Sequence, residues 1–215
     1  MQSTINYIDV GNHPLTLALR KNWRLILEEF YNLSASGLST KVNNIMGDLV
    51  NQGISNGKML YTGKILSIFT RLAPESCSPG EYKSAWGVTN EDKKRGDNRF
   101  LARQKLTPIL EQILEPFHPW VGSVGFNLIS PGTKLTKHYG MTDKYIRFHL
   151  GIICDPDAKF LVNDAKPRAW VEGGVWAFDD GLAFHGTEHS GTKDRLILII
   201  DLNRSIINPM QEEIY

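Results

Sequence analysis

Two histidines in the C-terminal half of the chain are the first candidates for chemistry. His138 and His185 each lie in a short turn-like stretch, residues 137–140 and 183–186. Neutral imidazole is the commonest protein ligand for metals of intermediate softness, and the loops of a rigid β-barrel can position such ligands. A single histidine more often has a structural role, so neither residue identifies a metal site by itself.

A cation and a third histidine share one face of a predicted strand. Alternation along residues 145–153 places Arg147, His149 and Gly151 on one face and only apolar side chains on the other. On the outside of a barrel, this polar face would simply be solvated. If it faces inward, the buried arginine needs an anionic partner to offset its desolvation, and we favour this second interpretation.

Arg195 stands at the start of an apolar run that extends to Asp201 and is typical of a core strand. Its guanidinium group is the side chain best shaped to bind a carboxylate through two parallel hydrogen bonds. An arginine at the end of a strand more often forms a surface ion pair, so Arg195 alone does not define a binding site.

The elements that must position these residues differ between the two halves of the chain. Helices are predicted for residues 15–33, behind His13 and Pro14, and for residues 100–114, with an extended segment at 64–69 between them. Short apolar runs separated by Gly, Pro and Asp predict strands at 121–129, 145–153, 159–162, 169–171, 175–178 and 195–202. We therefore predict one domain of residues 1–215, in which a helix-rich part (1–119) packs on a β-sandwich or barrel (120–204).

Composition argues against several classes of function. The 215 residues carry 24 Lys and Arg against 23 Asp and Glu, which gives no electrostatic support for a nucleic-acid partner. There is no apolar run long enough for a membrane span and no secretory signal pattern, so we expect a soluble, cytoplasmic protein. The two cysteines, Cys77 and Cys154, indicate neither a disulfide framework nor a thiolate metal site. The oligomeric state is not predicted.

Several of these residues occur in an order that resembles a known family. The stretch from Phe126 to Asp201 is similar to the aspartyl/asparaginyl β-hydroxylase family of iron(II)- and 2-oxoglutarate-dependent oxygenases. The matching pieces are residues 131–133, His138-x-Gly140, Arg147-x-His149-Leu-Gly151, Trp170-x-Glu172-Gly173, Phe178-Asp-Asp180, His185 and residues 195–201. They cover about a third of the chain, and the N-terminal half shows no comparable match.

The resemblance implies a mainly β fold, with a double-stranded β-helix (jelly-roll, cupin-like) core and N-terminal flanking helices. It implies that His138 and His185 bind iron(II), and that Arg195 binds the distal carboxylate of 2-oxoglutarate. His149 would help to hold this co-substrate. Asn127 would do the same, because it stands where members of the family often have a serine.

The activity implied by the resemblance is hydroxylation with O2 as the oxidant, while 2-oxoglutarate is converted to succinate. Arg147 would face a carboxylate of the substrate. We predict that this substrate is a small molecule, such as a free amino acid or another small acid.

Gly140 departs from the ligand set of most such oxygenases, in which a carboxylate two residues after the first histidine completes the metal site. The resemblance implies that water takes this place, since neither Asp143 nor Asp179 has the required spacing. A position without a protein carboxylate could also accept halide, so a halogenase is one alternative. The other alternative is a non-catalytic binding protein with a cupin-like barrel.

Overall fold

The computed structural model describes residues 7–36, 41–42, 61–62, 65–71, 99–140 and 142–207. Within these ranges the chain forms three helices, α1 (Pro14–Ala35), α2 (Arg99–Lys105) and α3 (Pro108–Leu114). The strands are β1 (Lys41–Val42), β2 (Tyr61–Thr62), β3 (Ile65–Arg71), β4 (Val121–Ile129), β5 (Lys134–His138), β6 (Tyr145–Ile153), β7 (Ala158–Val162), β8 (Arg168–Ala169), β9 (Val175–Phe178), β10 (His185–His189) and β11 (Arg195–Asn203). Short 3₁₀ turns at Glu115–Phe117 and Arg204–Ile206 follow α3 and β11.

The strands form two antiparallel sheets whose inner faces pack together. The first sheet has the order β1-β3-β4-β11-β6-β9, and the second has the order β2-β5-β10-β7-β8. Across the interior, the ring of Phe160 in β7 lies 4.9 Å from Trp176 and 4.8 Å from Phe178, both in β9. Most neighbours within a sheet are distant in sequence, as in a double-stranded β-helix. The predicted jelly-roll fold class is confirmed.

Helices cover the outer face of the six-stranded sheet. The alternate apolar residues of β6, from Ile146 to Ile152, lie in one buried cluster with the apolar faces of α1 and α3. Arg147 and His149 belong to the opposite face of β6, which lines the interior between the two sheets. The strand alternation read from the sequence is therefore correct, and the polar face of β6 is the inner one.

The predicted helices agree with the structure in part. α1 begins as expected, because the His13 ring accepts a hydrogen bond from the amide of Leu15 and Pro14 occupies the first turn. The single helix predicted for residues 100–114 is wrong. It is interrupted at Thr107, whose φ of −127° is not helical, because the residue before a proline is disfavoured in helical conformation and Pro108 follows.

The two strands that carry the candidate metal ligands were not predicted. β5 ends at His138 and β10 begins at His185, whereas the sequence placed both histidines in turns. The predicted extended segment at 64–69 corresponds to β3, so the N-terminal part contributes strands to the core as well as helices. The division of one domain into residues 1–119 and 120–204 stays a prediction.

None of the helices in the described ranges has both the length and the apolar character needed to cross a membrane. Cys154 is a free cysteine. Cys77 lies outside the described residues.

Candidate functional site

His138 and His185 lie side by side in the interior. They are cross-strand partners in β5 and β10, and their ring centroids are 4.4 Å apart. Nδ1 of His138 lies 2.9 Å from the carbonyl oxygen of Thr136, and Nδ1 of His185 lies 2.7 Å from that of Ala183. Because a carbonyl oxygen only accepts, each Nδ1 carries a proton, and Nε2 is the ring nitrogen of each histidine that is left to bind a metal.

Burial keeps His138 in the neutral form. Its side chain is almost inaccessible, and burial, followed by the adjacent His185, lowers the pKa of His138 to about 4. At neutral pH the ring therefore has a free lone pair, which is the form of histidine that binds metals.

The carboxylate of Asp180 fills the space beside Gly140. A Cβ atom on Gly140 would collide with Oδ2 of Asp180 and lie 2.5 Å from its Cγ, and the Gly140 amide donates a 2.7 Å hydrogen bond to the Asp180 carbonyl. Oδ1 of Asp180 lies 3.2 Å from Nε2 of His185. Burial alone would raise the pKa of Asp180, but Arg147 and then His185 outweigh it and hold that pKa well below its usual range.

The sequence placed Asp180 in a motif that matches the family, but only Asp143 and Asp179 were considered as the carboxylate near the histidines. Asp179 points elsewhere, since it pairs with Arg204 and accepts a hydrogen bond from the amide of Leu182. The available signal was the absent side chain at Gly140 together with two consecutive aspartates. Which of the two aspartates faces the histidines depends on the path of the loop after β9.

The donor atoms beside His185 suit a divalent cation. Nε2 of His185 lies 3.2 Å from Oδ1 of Asp180, a separation that a shared proton or a metal ion between the two atoms makes favourable. Imidazole nitrogen and carboxylate oxygen are ligands typical of non-haem iron. In the described part of the chain, no three His, Cys, Asp or Glu side chains form a complete metal cluster. The structure therefore offers the imidazole pair, with Asp180 adjacent to it.

Arg147 pairs with two buried aspartates. Its Nε and Nη2 donate to the two oxygens of Asp201 at 2.7 and 3.0 Å, and its Nη1 donates to Oδ1 of Asp180 at 2.6 Å. The anionic partner that a buried Arg147 was expected to need is thus supplied by the chain itself. Its role in binding a substrate carboxylate stays a prediction.

Arg195 is a buried cation without a carboxylate partner among the described residues. Its side chain is 2% exposed, Nη2 donates to Oδ1 of Asn127 at 2.8 Å, and Nε has no hydrogen-bond acceptor. The guanidinium carbon lies 4.5 Å from the centre of the Trp170 ring. Burial lowers the pKa of Arg195 to about 9, which still leaves it charged at neutral pH.

Asn127 joins Arg195 to a serine on the neighbouring strand. Nδ2 of Asn127 donates to Oγ of Ser67 at 2.9 Å, and the two residues are cross-strand partners in β4 and β3. Sequence reasoning missed Ser67, which carries a hydroxyl next to the position where the resemblance placed a serine. Asn127 contacts Arg195 as well, and its role in holding a co-substrate stays a prediction.

His149 lies in a cage of aromatic side chains. The ring centroids of Phe160, Trp170, Trp176 and Phe178 are 4.8 to 6.0 Å from its own. Nε1 of Trp170 donates to Nδ1 of His149 at 3.3 Å. Burial is the largest of the effects that lower the pKa of His149 well below its usual value, so the ring is neutral at pH 7. The sequence placed Trp170 in a motif that matches the family but indicated no role for it.

The sequence is similar to known proteins over most of its length. The sequence model of the family described as aspartyl/asparaginyl beta-hydroxylase matches residues 20–205. Aspartate beta-hydroxylase domain-containing protein 2 of Homo sapiens is 37% identical over 84 residues, which are 38% of this chain and 22% of that protein. Aspartyl/asparaginyl beta-hydroxylase of Mus musculus is 27% identical over 118 residues, which are 55% of this chain and 16% of that protein. The matched segments thus span about a fifth of the length of these relatives.

Two solved structures illustrate the structural similarity. A cupin-like protein from Thermotoga maritima matches with a TM-score of 0.37 and 10% identity, over 67% of this chain and 73% of that chain. A cupin family protein with a double-stranded β-helix fold from Methanocaldococcus jannaschii matches with a TM-score of 0.30 and 14% identity, over 38% of this chain and 69% of that chain.

Proposed function

Because the chain belongs to the aspartyl/asparaginyl β-hydroxylase family, we propose that it is an iron(II)- and 2-oxoglutarate-dependent oxygenase. In the proposed reaction, a substrate C–H bond, O2 and 2-oxoglutarate give a hydroxylated product, succinate and CO2. The substrate is a small molecule that carries a carboxylate, and free amino acids are the first class to examine. Family membership supports a hydroxylase, and the metal, co-substrate and substrate are parts of the proposal.

The buried charge of Arg195, for which the described residues supply no carboxylate, is the observation that carries the proposal. A buried guanidinium is costly unless an anion reaches it, and only Asn127 accepts a hydrogen bond from this side chain among the described residues. A carboxylate of 2-oxoglutarate would supply both the charge and the missing acceptor. The alternative of a purely structural Arg195 leaves its buried Nε without a partner.

The imidazoles of His138 and His185 would hold iron(II) through Nε2. Bound iron(II) supplies the redox chemistry that couples oxidation of 2-oxoglutarate to oxidation of the substrate. The chain prepares the ligands, because the backbone carbonyls at positions 136 and 183 fix both tautomers and ring orientations. Arg147 holds Asp180 against His185, so this carboxylate keeps its place beside the ligand pair.

The interior also limits the access of water. The aromatic cage around His149 surrounds the predicted co-substrate site with side chains that offer few hydrogen bonds. Exclusion of water strengthens the attraction between buried donors and an anionic ligand and protects reactive intermediates from side reactions. A rigid apolar lining with a few polar groups is typical of a small-molecule site.

Asp180 favours hydroxylation over the halogenase alternative. Halide would need a position beside the histidines that is free of negative charge, and the carboxylate of Asp180 lies there, 3.2 Å from His185. Two anions this close repel strongly in a buried site. The non-catalytic alternative gives no use to the adjacent histidines, or to the buried Arg195, which has no carboxylate partner in the described part of the chain.

Succinate release measured across free amino acids and related acids tests the proposal directly. The full chain is supplied with Fe(II), 2-oxoglutarate and O2, and chloride is present so that mass spectrometry detects any chlorinated product. We expect a hydroxylated product and no chlorinated one. Arg195→Ala should raise the KM for 2-oxoglutarate at least about tenfold, because a charge-assisted pair is lost. The KM of Arg195→Lys for 2-oxoglutarate should lie between those of the wild type and Arg195→Ala.

Arg24→Ala is a suitable control, because Arg24 is exposed on α1 and stacks on Trp23, away from the interior. It should leave the KM unchanged. In anaerobic mixtures of Fe(II) and 2-oxoglutarate, a weak visible absorption band should form and should be lost in His138→Ala and His185→Ala. The absence of this band, combined with no succinate from any acid tested, refutes the oxygenase proposal.

A further inference from the structure

We propose that Trp170 orients both side chains that hold the co-substrate, acting on His149 through its indole N–H and on Arg195 through the face of its ring. This inference rests on the proposed function, because it assigns a positioning residue to the 2-oxoglutarate site. It concerns how the site is built, and it involves no step at the metal.

The indole N–H of Trp170 fixes the tautomer of His149. An indole nitrogen can only donate, so Nδ1 of His149 accepts this hydrogen bond through its lone pair. The neutral ring has a single N–H, which must then lie on Nε2. No side chain in the described ranges accepts a hydrogen bond from that Nε2, so His149 presents a free donor to the interior.

The ring face of Trp170 supports Arg195. The guanidinium carbon is 4.5 Å from the ring centre, a distance at which a cation is attracted to the π-face. Contact through the face leaves the N–H edges of the guanidinium available for hydrogen bonds. Asn127 takes one N–H, and the buried Nε has no acceptor.

The Trp170 indole therefore orients two hydrogen-bond donors, Nε2–H of His149 and the guanidinium of Arg195. The positions of these donors determine which groups a ligand must carry. The ligand must present an acceptor to Nε2 of His149 and an anionic acceptor to Arg195, as a dicarboxylate does. With the other tautomer, the lone pair of His149 Nε2 would face a carboxylate oxygen and repel it. The hydrogen bond from Trp170 thus decides whether His149 attracts or repels the co-substrate.

Trp176 provides a matched control in the same cage. Its ring centroid lies 4.8 Å from that of His149, compared with 6.0 Å for Trp170, so it packs at least as closely. However, its buried Nε1 has no hydrogen-bond partner within the ranges that the structure describes. Trp170→Phe and Trp176→Phe therefore remove the same atoms from the same cluster, but only the first removes a hydrogen bond to His149.

The first measurement is the tautomer itself, in the metal-free full chain labelled with ¹⁵N in histidine. Long-range ¹H–¹⁵N correlation spectra distinguish Nε2–H from Nδ1–H, and His149→Gln identifies the signal. We expect Nε2–H in the wild type and in Trp176→Phe, and a rise of the Nδ1–H form in Trp170→Phe. A wild-type His149 that is protonated on Nδ1 overturns the inference, whatever the activity.

The second measurement is the affinity for 2-oxoglutarate by calorimetry, with Zn(II) as a redox-inert metal. Trp170→Phe should weaken binding about fivefold, equivalent to the roughly 1 kcal/mol of one net hydrogen bond. Trp176→Phe should change it less than about twofold. Trp170→Leu should weaken it further, because the support of Arg195 is lost as well.

A combined variant separates positioning from packing. The amide nitrogen of Gln in His149→Gln donates without any tautomer to set, so adding Trp170→Phe to it should cost less than about twofold. A full fivefold loss in that background, or equal losses in Trp170→Phe and Trp176→Phe, overturns the inference. If the wild type does not bind 2-oxoglutarate at all, the proposed function fails, and the spectra still decide whether Trp170 sets the tautomer of His149.

Discussion

Substitution of Gly140 by alanine probes the contact between this residue and Asp180. The new Cβ atom would collide with Oδ2 of Asp180 and lie 2.5 Å from Cγ and 2.8 Å from the backbone oxygen of the same residue. Carbon atoms in contact are ordinarily about 3.5–4.0 Å apart. Rotation of the carboxylate relieves the first two overlaps, but it breaks the contacts of Asp180 with Arg147 and His185. The third overlap needs a movement of the backbone.

The loss of stability in Gly140→Ala has two sources, the overpacking of a buried position and the loss of the Asp180–Arg147 ion pair. Overpacking of a buried position costs about 1–3 kcal/mol. Loss of the partly buried ion pair between Asp180 and Arg147 adds about 1–2 kcal/mol, a value below that of a fully buried pair because Arg147 is 21% exposed. We expect Gly140→Ala to lower the free energy of unfolding by about 3 kcal/mol. For a chain of this size, that corresponds to a fall in Tm of roughly 6–12 °C.

Urea and thermal unfolding of the metal-free protein measure this loss, and Asp180→Gly measures the coupling. In the Asp180→Gly background only the backbone overlap remains, so Gly140→Ala should cost about 1 kcal/mol there. Gly132→Ala is the control, since Gly132 has open space around it and only its φ of +79° opposes a side chain. Gly132→Ala should change the free energy of unfolding by the same amount in the wild-type and Asp180→Gly backgrounds. Additive effects of Gly140→Ala and Asp180→Gly, within about 0.5 kcal/mol, would show that the two side-chain positions do not share one space.

Two further predictions concern the same interior. Asp201→Asn removes the negative charge that two guanidinium nitrogens of Arg147 contact. It should lower the free energy of unfolding, measured by urea titration, by about 2–3 kcal/mol. A change below about 0.5 kcal/mol would contradict the role of Asp201 as the partner of Arg147. His138 has a pKa of about 4 in the fold and 6.5 as its ordinary value. Between these values the unfolded chain binds more protons, so the metal-free protein should lose stability as the pH falls, by about 2 kcal/mol from pH 7 to 4.5. Since other groups also titrate, the free energy of unfolding is measured against pH for both the wild type and His138→Ala. Parallel profiles for the two proteins would refute the lowered pKa of His138.

Strands with a clear apolar pattern could be predicted from the sequence, and the two strands that carry His138 and His185 could not. β6 shows an apolar face opposite a polar one, and its inward polar face followed from that pattern. β5 and β10 read Lys-Leu-Thr-Lys-His and His-Gly-Thr-Glu-His, with polar residues on both faces. Inward histidines and outward charged residues remove the period-two signal on which strand prediction depends. β5 and β10 are therefore strands that the local sequence pattern describes poorly.

For the candidate site, the sequence indicated the types of the reactive residues but not the residues that contact them in the fold. The sequence indicated which side chains could bind a metal or a carboxylate, because imidazole and guanidinium have few other uses in a core. It did not indicate their partners. Asp180, Ser67 and Trp170 come from separate loops and strands: Asp180 and Trp170 reach the site through the packing of one sheet on the other, and Ser67 through pairing of β3 with β4. Such contacts between distant residues produce no repeating pattern in the sequence from which they could be predicted.

The position of Asp180 changes how Arg147 must be understood. From the sequence, the missing side chain at Gly140 left a gap beside the histidines, and Arg147 was free to bind a substrate carboxylate. In the structure, Asp180 closes that gap, and it is held there by the same Arg147. A substrate carboxylate that binds Arg147 therefore competes with Asp180 for one guanidinium, because Asp201 already occupies two of its nitrogens. On the proposal that Arg147 binds the substrate, this one residue affects both substrate recognition and the position of the negative charge beside His185, so a substitution of Arg147 should change both.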